Sequence, residues 1–192
     1  MFICGRKILM RTEIVGEKII LRKYESEFAP LLFEAAMESR GGKFSRWMPW
    51  CHKNYAFSES VSFIEKVVEN WKNETEFAFA VFDAETNEFL GGTGLNQPNQ
   101  VHKFYNLGYW IRVSKQNQGA ASEAARILSE AAFEDLDANR IEILIAVENV
   151  PSRKAAEKAG AAHEGVLRNR LIVGERIHDA VMFSFVREDF QK

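Results

Sequence analysis

Apolar residues along this chain recur at two spacings, and the switches between them mark its elements. The run EKIILRKY (17–24) is strand-like. Residues 26–38, SEFAPLLFEAAME, carry Leu31, Leu32, Phe33, Ala35 and Ala36 at helical spacing. Residues 58–71 do the same with Val61, Ile64, Val67, Val68 and Trp71, and Ser58 or Ser60 can cap that helix. Between the two helices, SRWMPW (45–50) is turn-like. Residues 76–95 are two strand-like runs around a polar turn, a hairpin. KFYNLGYWIRV (103–113) predicts another strand, followed by an alanine-rich helix to about Asp137. RIEILIAVEN (140–149) is apolar on both faces, as in a sheet covered on both sides. PSRKAAEKAG (151–160) is a helix with Pro151 in its first turn and Gly160 at its end. The chain closes on a hairpin turning at Gly174.

The order β-α-α-β-β-β-α-β-α-β-β predicts an α/β fold: a mixed, mostly antiparallel central sheet with helices on both faces. With 192 residues, 46% of them hydrophobic, the chain suits one sizeable core, so residues 1–192 are read as a single domain. No repeat or low-complexity linker divides it. Residues 1–12 are read as an N-terminal extension, and Met10 competes with Met1 as the start.

Charge narrows the function classes. A formal net charge of −2 leaves no basic footprint for nucleic acid. The opening MFICGRKILM is too short in its apolar run for a membrane helix or a signal-peptide core. Cys4 and Cys51 make neither a metal-ligand spacing nor a disulfide framework, and reduced cytosolic thiols are the plain reading.

The chemically suggestive stretch is Gln116-Asn117-Gln118-Gly119-Ala120-Ala121-Ser122, between strand and helix. A helix N-terminus presents unpaired N–H groups and the positive end of the helix dipole, which suits an anion. Small residues let a phosphate approach the backbone. A plain strand-to-helix joint has the same appearance, and the stretch lacks both a P-loop lysine and the third glycine of a dinucleotide fingerprint.

Gln116, Gly119 and Ala121 match Gln/Arg-x-x-Gly-x-Gly/Ala, the pyrophosphate turn of the GNAT acyltransferases, which the chain resembles over residues 13–187. GYWI before the turn, ENVPS and EKAGAAHEG after it, and RWMPW upstream resemble the Rim-type branch of ribosomal-protein N-terminal acetyltransferases. The resemblance implies acetyl-CoA as cosubstrate, no metal, and direct transfer in the cytoplasm to an amine. Ribosomal-protein N-termini are among the implied acceptors, and a homodimer is compatible with it. Ile111 and Val113 would lie on a strand that pairs with the pantetheine arm, with the amide near Ile111 holding the thioester oxygen. Residues 116–122 would wrap the pyrophosphate. Asn149 would contact pantetheine, although its residue type also suits a helix cap. Ser152 would sit near the coenzyme sulfur as an acid or a hydrogen-bond donor, where an ordinary first-turn serine is the alternative.

The proton acceptor is less plain. Asn106 stands where Rim-type strands carry a carboxylate, and Leu171 where some relatives carry a glutamate. Glu148, Glu164 and His163 remain as candidates, each readable as a solvated or structurally paired residue. Trp47 and Trp50, with Met48 and Pro49, are either a hydrophobic plug or a wall of the acceptor site. Nearby Lys43, Arg46, His52 and Lys53 could meet an acidic acceptor. Tyr105, Tyr109 and Trp110 read as core and sheet surface. Two function classes stay open. One is an N-acetyltransferase acting on a protein α-amino group, or on a polyamine, antibiotic or amino acid. The other is a GNAT module that binds acyl-CoA with little turnover, motivated by Asn106 and Leu171.

Overall fold

The computed structural model describes residues 9–191. Eight strands form one sheet in the order β1-β2-β3-β4-β5-β6-β8-β7. They are β1 (Glu13–Val15), β2 (Ile19–Lys23), β3 (Phe77–Asp83), β4 (Phe89–Asn99), β5 (Phe104–Ile111), β6 (Arg140–Ala146), β7 (Ala162–Val173) and β8 (Arg176–Val186). Every neighbouring pair is antiparallel except β5 and β6. The helices are α1 (Ala29–Ser39), α2 (Gly42–Trp47), α3 (Phe57–Lys72), α4 (Ala120–Asp135) and α5 (Val150–Ala159).

The alanines of α4 explain its place. Ala124, Ala125, Ala131 and Ala132 are buried with Leu128 and Phe133 in the larger core cluster, where small side chains bring the helix close to the sheet. On the opposite face Leu32 and Ala35 of α1 pack with Ile64 and Val67 of α3 against Ala80 and Phe82 of β3. The amphipathic stripes read from both helices are thus the buried ones, with Val61 and Val68 at the margin.

Four expectations change. The first strand is a hairpin of two, β1 and β2, because the chain reverses at Gly16, whose N–H donates to Ile19 O at 2.8 Å. The turn-like SRWMPW begins inside a short helix, α2, which Ser45 ties down by accepting from Gly41 N–H at 2.6 Å and donating to the Cys51 carbonyl. Neither Ser58 nor Ser60 caps α3. Its cap is Ala56, whose N–H donates to Glu59 Oε1 at 2.8 Å, while buried Ser60 bonds Tyr55. Strand β5 ends at Ile111, and Val113–Lys115 form a 3₁₀ turn. At the N-terminal side Met10 is buried in the core and Arg11 pairs with Asp135 and Glu134. The competing start Met1 and Cys4 lie outside the described residues.

Candidate active site

The sheet opens between β5 and β6. Their parallel pairing covers only Phe104↔Arg140, Tyr105↔Ile141 and Asn106↔Glu142, whereas β6 continues along β8 to Ala146 and β5 continues along β4 to Ile111. Arg112 N–H donates to Leu90 O, which sets the phase of the β4–β5 ladder. In an antiparallel ladder inward and outward amides alternate, so Leu107, Tyr109 and Ile111 turn their backbone groups toward the gap. A sheet edge that has lost its partner offers donors and acceptors to a ligand.

Two cavities meet at this gap. A basic cleft of about 910 Å³ is lined by Ile111, Val113, Gln116, Asn117, Gly119, Ala120, Ala121 and Ser122, with Asn149, Ser152, Lys43, Arg46, Lys154 and Lys158. Of the turn residues expected at a pyrophosphate, Gln118 does not line it. Gly119 adopts the left-handed conformation at φ 96°, which glycine adopts without a Cβ penalty. A Cβ there would have one neighbour within 4 Å, the Lys158 ammonium at 3.5 Å. The amide of Glu123 donates to Gly119 O, so the helical hydrogen bonds start there and the amides before it face the cleft mouth. This is an open cradle with a cation beside it, and it fits a diphosphate.

Arg112 holds the segment in place. It is 8% exposed and donates to Glu38 and Glu34, each at 2.8 Å, while Glu38 also accepts from Ser114 N–H at 2.7 Å. Gln116 spends its side-chain amide on Ile111 O at 3.0 Å. Val113 departs from the expected strand: it lies in the 3₁₀ turn, and its N–H donates to Ser39 Oγ at 3.2 Å rather than facing the gap.

The second, acidic cavity, of about 660 Å³, lies against the α1/α3 face of the sheet. On β4 and β5 its floor is nearly free of side chains, because Gly94 pairs with Gly108 between the couples Asn96/Asn106 and Gly92/Trp110. Its charged lining is Glu59 and Glu76, with His52 hydrogen-bonded to Glu59 at 3.0 Å. Among the described residues no lysine or arginine lines it. Trp50 forms a wall, edge-on to Trp110 at 5.2 Å, and Trp47 lines both cavities. The basic residues once expected to meet an acidic acceptor fall elsewhere. Lys43 and Arg46 line the basic cleft, Lys53 lines neither cavity, and only His52 reaches the acidic one.

Ser152 and Tyr109 stand where the cavities join. Tyr109 Oη donates to the Ser152 carbonyl at 2.7 Å, and Ser152 Oγ donates to Tyr109 Oη at 3.2 Å. Burial pushes the Tyr109 hydroxyl up to about 12 against the opposing pull of its Ser152 hydrogen bond, so it is a neutral donor at neutral pH. Asn149 caps α5 by accepting from Ser152 N–H at 3.4 Å and lines both cavities. Sequence reasoning read Tyr109 as core and sheet surface, and it does pack against the larger core cluster while lining both cavities. Its alternation with Leu107 and Ile111 was the available signal, but periodicity cannot show that β6 has parted from β5.

The candidate bases separate by partner. Asn106 donates to Asn96 Oδ1 at 2.9 Å, and Leu171 is an apolar wall of the acidic cavity. Glu164 is held by Arg140 at 2.6 Å and by Ser184, and the Arg140 hydrogen bonds lower its pKa to about 2. His163 packs edge-on against Phe183. Glu148 lines the basic cleft and bonds His178 Nδ1 at 3.2 Å. Cys51 is buried with its Sγ donating to Ala36 O at 3.3 Å, and burial pushes the thiol up, the opposite of a nucleophile's setting. Among the described residues no group of three His, Cys, Asp or Glu side chains could hold a metal ion. No described helix is long and apolar enough to cross a membrane.

Comparison with known proteins bears on the whole arrangement. Residues 18–162 match the family model of the acetyltransferase (GNAT) domain. The Bacillus subtilis (strain 168) protein YdaF, provisionally named a ribosomal N-acetyltransferase, is 27% identical over 182 residues, covering 92% of this chain and 96% of its own. A Vibrio cholerae structure, provisionally named a ribosomal-protein-serine acetyltransferase, superposes with TM-score 0.80 at 28% identity over 93% of this chain and 99% of that one. RimL, a ribosomal L7/L12 α-N-protein acetyltransferase solved with coenzyme A, has the same fold with TM-score 0.78 at 20% identity, over 91% and 97% of the two chains. With most of its length matched, the chain belongs to the GNAT acetyltransferase family and is an N-acetyltransferase of that type.

Proposed function

We propose that this enzyme moves an acetyl group from acetyl-CoA to the α-amino group of a protein N-terminus of the ribosomal kind, in the cytoplasm, by direct attack in a ternary complex. The observation that carries the reading is the Ser152–Tyr109 hydroxyl pair at the join of a basic cleft and an acidic cavity. A phosphorylated donor suits the first space and a cationic amine the second.

Acetyl-CoA supplies an activated acetyl thioester. The amides of Asn117 and of residues 119–122, with Lys158, would hold its diphosphate, and the gap-facing backbone of Tyr109 and Ile111 would lie alongside its arm. An Ile111 amide aimed at a developing oxyanion contributes on the order of 3 kcal/mol. With the donor bound, Ser152 Oγ–H would swing from Tyr109 Oη to the departing sulfur, while Tyr109 Oη keeps its hydrogen bond to the Ser152 carbonyl. A thiol leaves readily near its pKa of about 8.5, so Ser152 need not be a strong acid. An α-amine with pKa about 7.7–8.0 is partly neutral at physiological pH, which lightens the demand on a base where Asn106 and Leu171 carry no carboxylate.

Glu59 and Glu76 also favour a second reading, in which a small polyamine, antibiotic or amino acid is the acceptor. Mass spectrometry of N-terminal peptides and small amines after incubation with acetyl-CoA decides between them. Acetylation at the peptide α-amine is the expected result. Turnover confined to small amines would replace the first reading with the second, and tight coenzyme binding without any turnover would reduce the protein to a binding module.

A further inference from the structure

His178 and Glu148 form an imidazole–carboxylate pair that the transfer proposed for this site leaves unused. Val147 N–H donates to Asp179 O at 3.0 Å, so β8 stays beside the chain just past β6 and brings His178 opposite Glu148. Glu148 Oε2 and His178 Nδ1 are 3.2 Å apart. A carboxylate at Nδ1 accepts the proton there and leaves Nε2 as the bare acceptor. The Glu148 carboxyl is held below the usual carboxylate range, first by its own backbone N–H and then, against desolvation, by His178, so it is ionised at neutral pH. His178 Nε2 bonds none of the described residues and is not sealed from solvent, although the side chain is only 9% exposed.

Strand register sets where this pair lies. β8 pairs Ala180 with Ala146 and His178 with Leu171. Paired residues share a face, so His178 is on the face of the sheet where Ala146 and Leu171 line the acidic cavity, one row behind that lining. Glu148 lines the basic cleft, and the Trp47 ring, edge-on to His178 at 5.5 Å, lines both spaces. The pair therefore borders the join of cleft and cavity. Charge near it comes from Glu148, from Arg46 of α2, which acts on Glu148, and from Arg176 on the same face of β8; Leu171 of β7 and Trp47 bring none. The other imidazole–carboxylate pair, His52 with Glu59, borders only the acidic cavity, and its imidazole is 47% exposed.

We infer that His178, oriented by Glu148, is the terminal acceptor of the proton that the amine must lose. The inference rests on reading the join as the place of transfer. Through one bridging water the acceptor ammonium gives a proton to Nε2, and the imidazolium stays paired with Glu148. The freed lone pair forms the N–C bond to the thioester carbon. The C–S bond then breaks, and the nitrogen's surplus proton passes to the departing sulfur. Amide and thiol result, with one proton on His178 to return to solvent.

The test is the pH profile of kcat/KM, on a peptide α-amine and on spermidine, for wild type, His178→Gln and Glu148→Gln. His178→Gln should lose at least ~100-fold at pH 6 on whichever amine is turned over. For the peptide the gap should close as pH passes the amine's own pKa of about 7.7–8.0, above which no proton need be removed. Glu148→Gln should follow the same trend with a smaller loss, because the imidazole remains but loses the group that orients it. A loss equal at all pH values is structural and overturns the base, as does no loss, or a pH-dependent loss in His52→Gln alone. Coenzyme A affinity measured by calorimetry should hold in His178→Gln; a fall would place His178 in donor binding instead.

The outcomes also separate this inference from the reading beneath it. Peptide turnover without the His178 effect keeps the peptide acceptor and removes the base. Turnover confined to spermidine, with the effect, keeps the base and removes the peptide acceptor. No turnover of any amine removes both. The imidazole 15N spectrum of the wild type needs no variant to fold: the neutral ring should carry its proton on Nδ1 with Nε2 bare, and the reverse tautomer would overturn the proposal.

Discussion

The basic cleft and the acidic cavity share a wall at Ser152 and Tyr109 yet are built from different materials. The cleft is made chiefly from backbone: a strand edge that has lost its partner, a glycine in the left-handed region and the start of α4. Its side chains add diffuse positive charge through Lys43, Arg46, Lys154 and Lys158. The cavity is made from side chains drawn from α1, α3, the Trp47–Trp50 segment and β7, over a floor of glycines. Main-chain geometry recognises what all donors of one class share, whereas a side-chain cavity distinguishes one acceptor from another. Affinity for the phosphorylated donor and choice of acceptor should therefore respond to different mutations.

The largest effect is expected at the cradle. Gly119→Glu places a side chain where φ is 96° and a carboxylate where a diphosphate would lie. Coenzyme A affinity measured by calorimetry should fall at least ~100-fold, about 2.7 kcal/mol, with the circular dichroism spectrum kept. Binding that survived would detach the cleft from the donor. Next comes the shared wall: Ser152→Ala should lower kcat by ~10-fold or more with coenzyme affinity unchanged, since the lost interaction strengthens as the sulfur departs. Unchanged turnover would leave Ser152 a helix residue. A smaller and more selective effect is expected at Gly108, where an added Cβ meets nothing within 4 Å. Gly108→Val should raise KM for the acceptor several-fold and leave coenzyme affinity alone. Loss of both would mean that the two spaces are not separable.

The smallest effect lies outside both cavities. Glu164 has a pKa lowered from 4.5 to about 2 by Arg140, so the pair contributes stability above pH 4.5 that is lost as pH falls toward 2. Its side chain is 41% exposed, so solvent screening limits the contribution to about 1 kcal/mol or less. Glu164→Gln should lower Tm at pH 7 by no more than ~2–4 °C, lose that difference near pH 2, and leave kcat intact. A drop in kcat would return Glu164 to the candidate bases.

Legibility follows the same division as the two spaces. The turn after β5 could be read because its requirements are local: small residues and a positive φ at Gly119, followed by a run of helix formers. The stripes of α1 and α3 could be read because periodicity reports burial. The Arg112 clamp could not, since Glu34 and Glu38 lie more than seventy residues from it and nothing local distinguishes them from solvated acids. Tyr24 is similar: in EKIILRKY it is one more strand aromatic, and nothing local shows that its hydroxyl is buried tight against Gly92 with no hydrogen-bond partner among the described residues. The basic loop was misplaced for the same reason. Lys43 and Arg46 are near Trp47 in sequence, but α2 carries them to the other cavity.

By itself the sequence determined most of the strands and helices, the small-residue turn that opens α4, and that no carboxylate occupies position 106, because each depends on the residue and its immediate neighbours. The parting of β5 from β6, the meeting of Ser152 with Tyr109, the separation of basic from acidic lining and the burial of Tyr24 against Gly92 were decided by the tertiary structure alone. Each of these is a relation between atoms far apart along the chain, and only the packing of the sheet against its helices sets their distances.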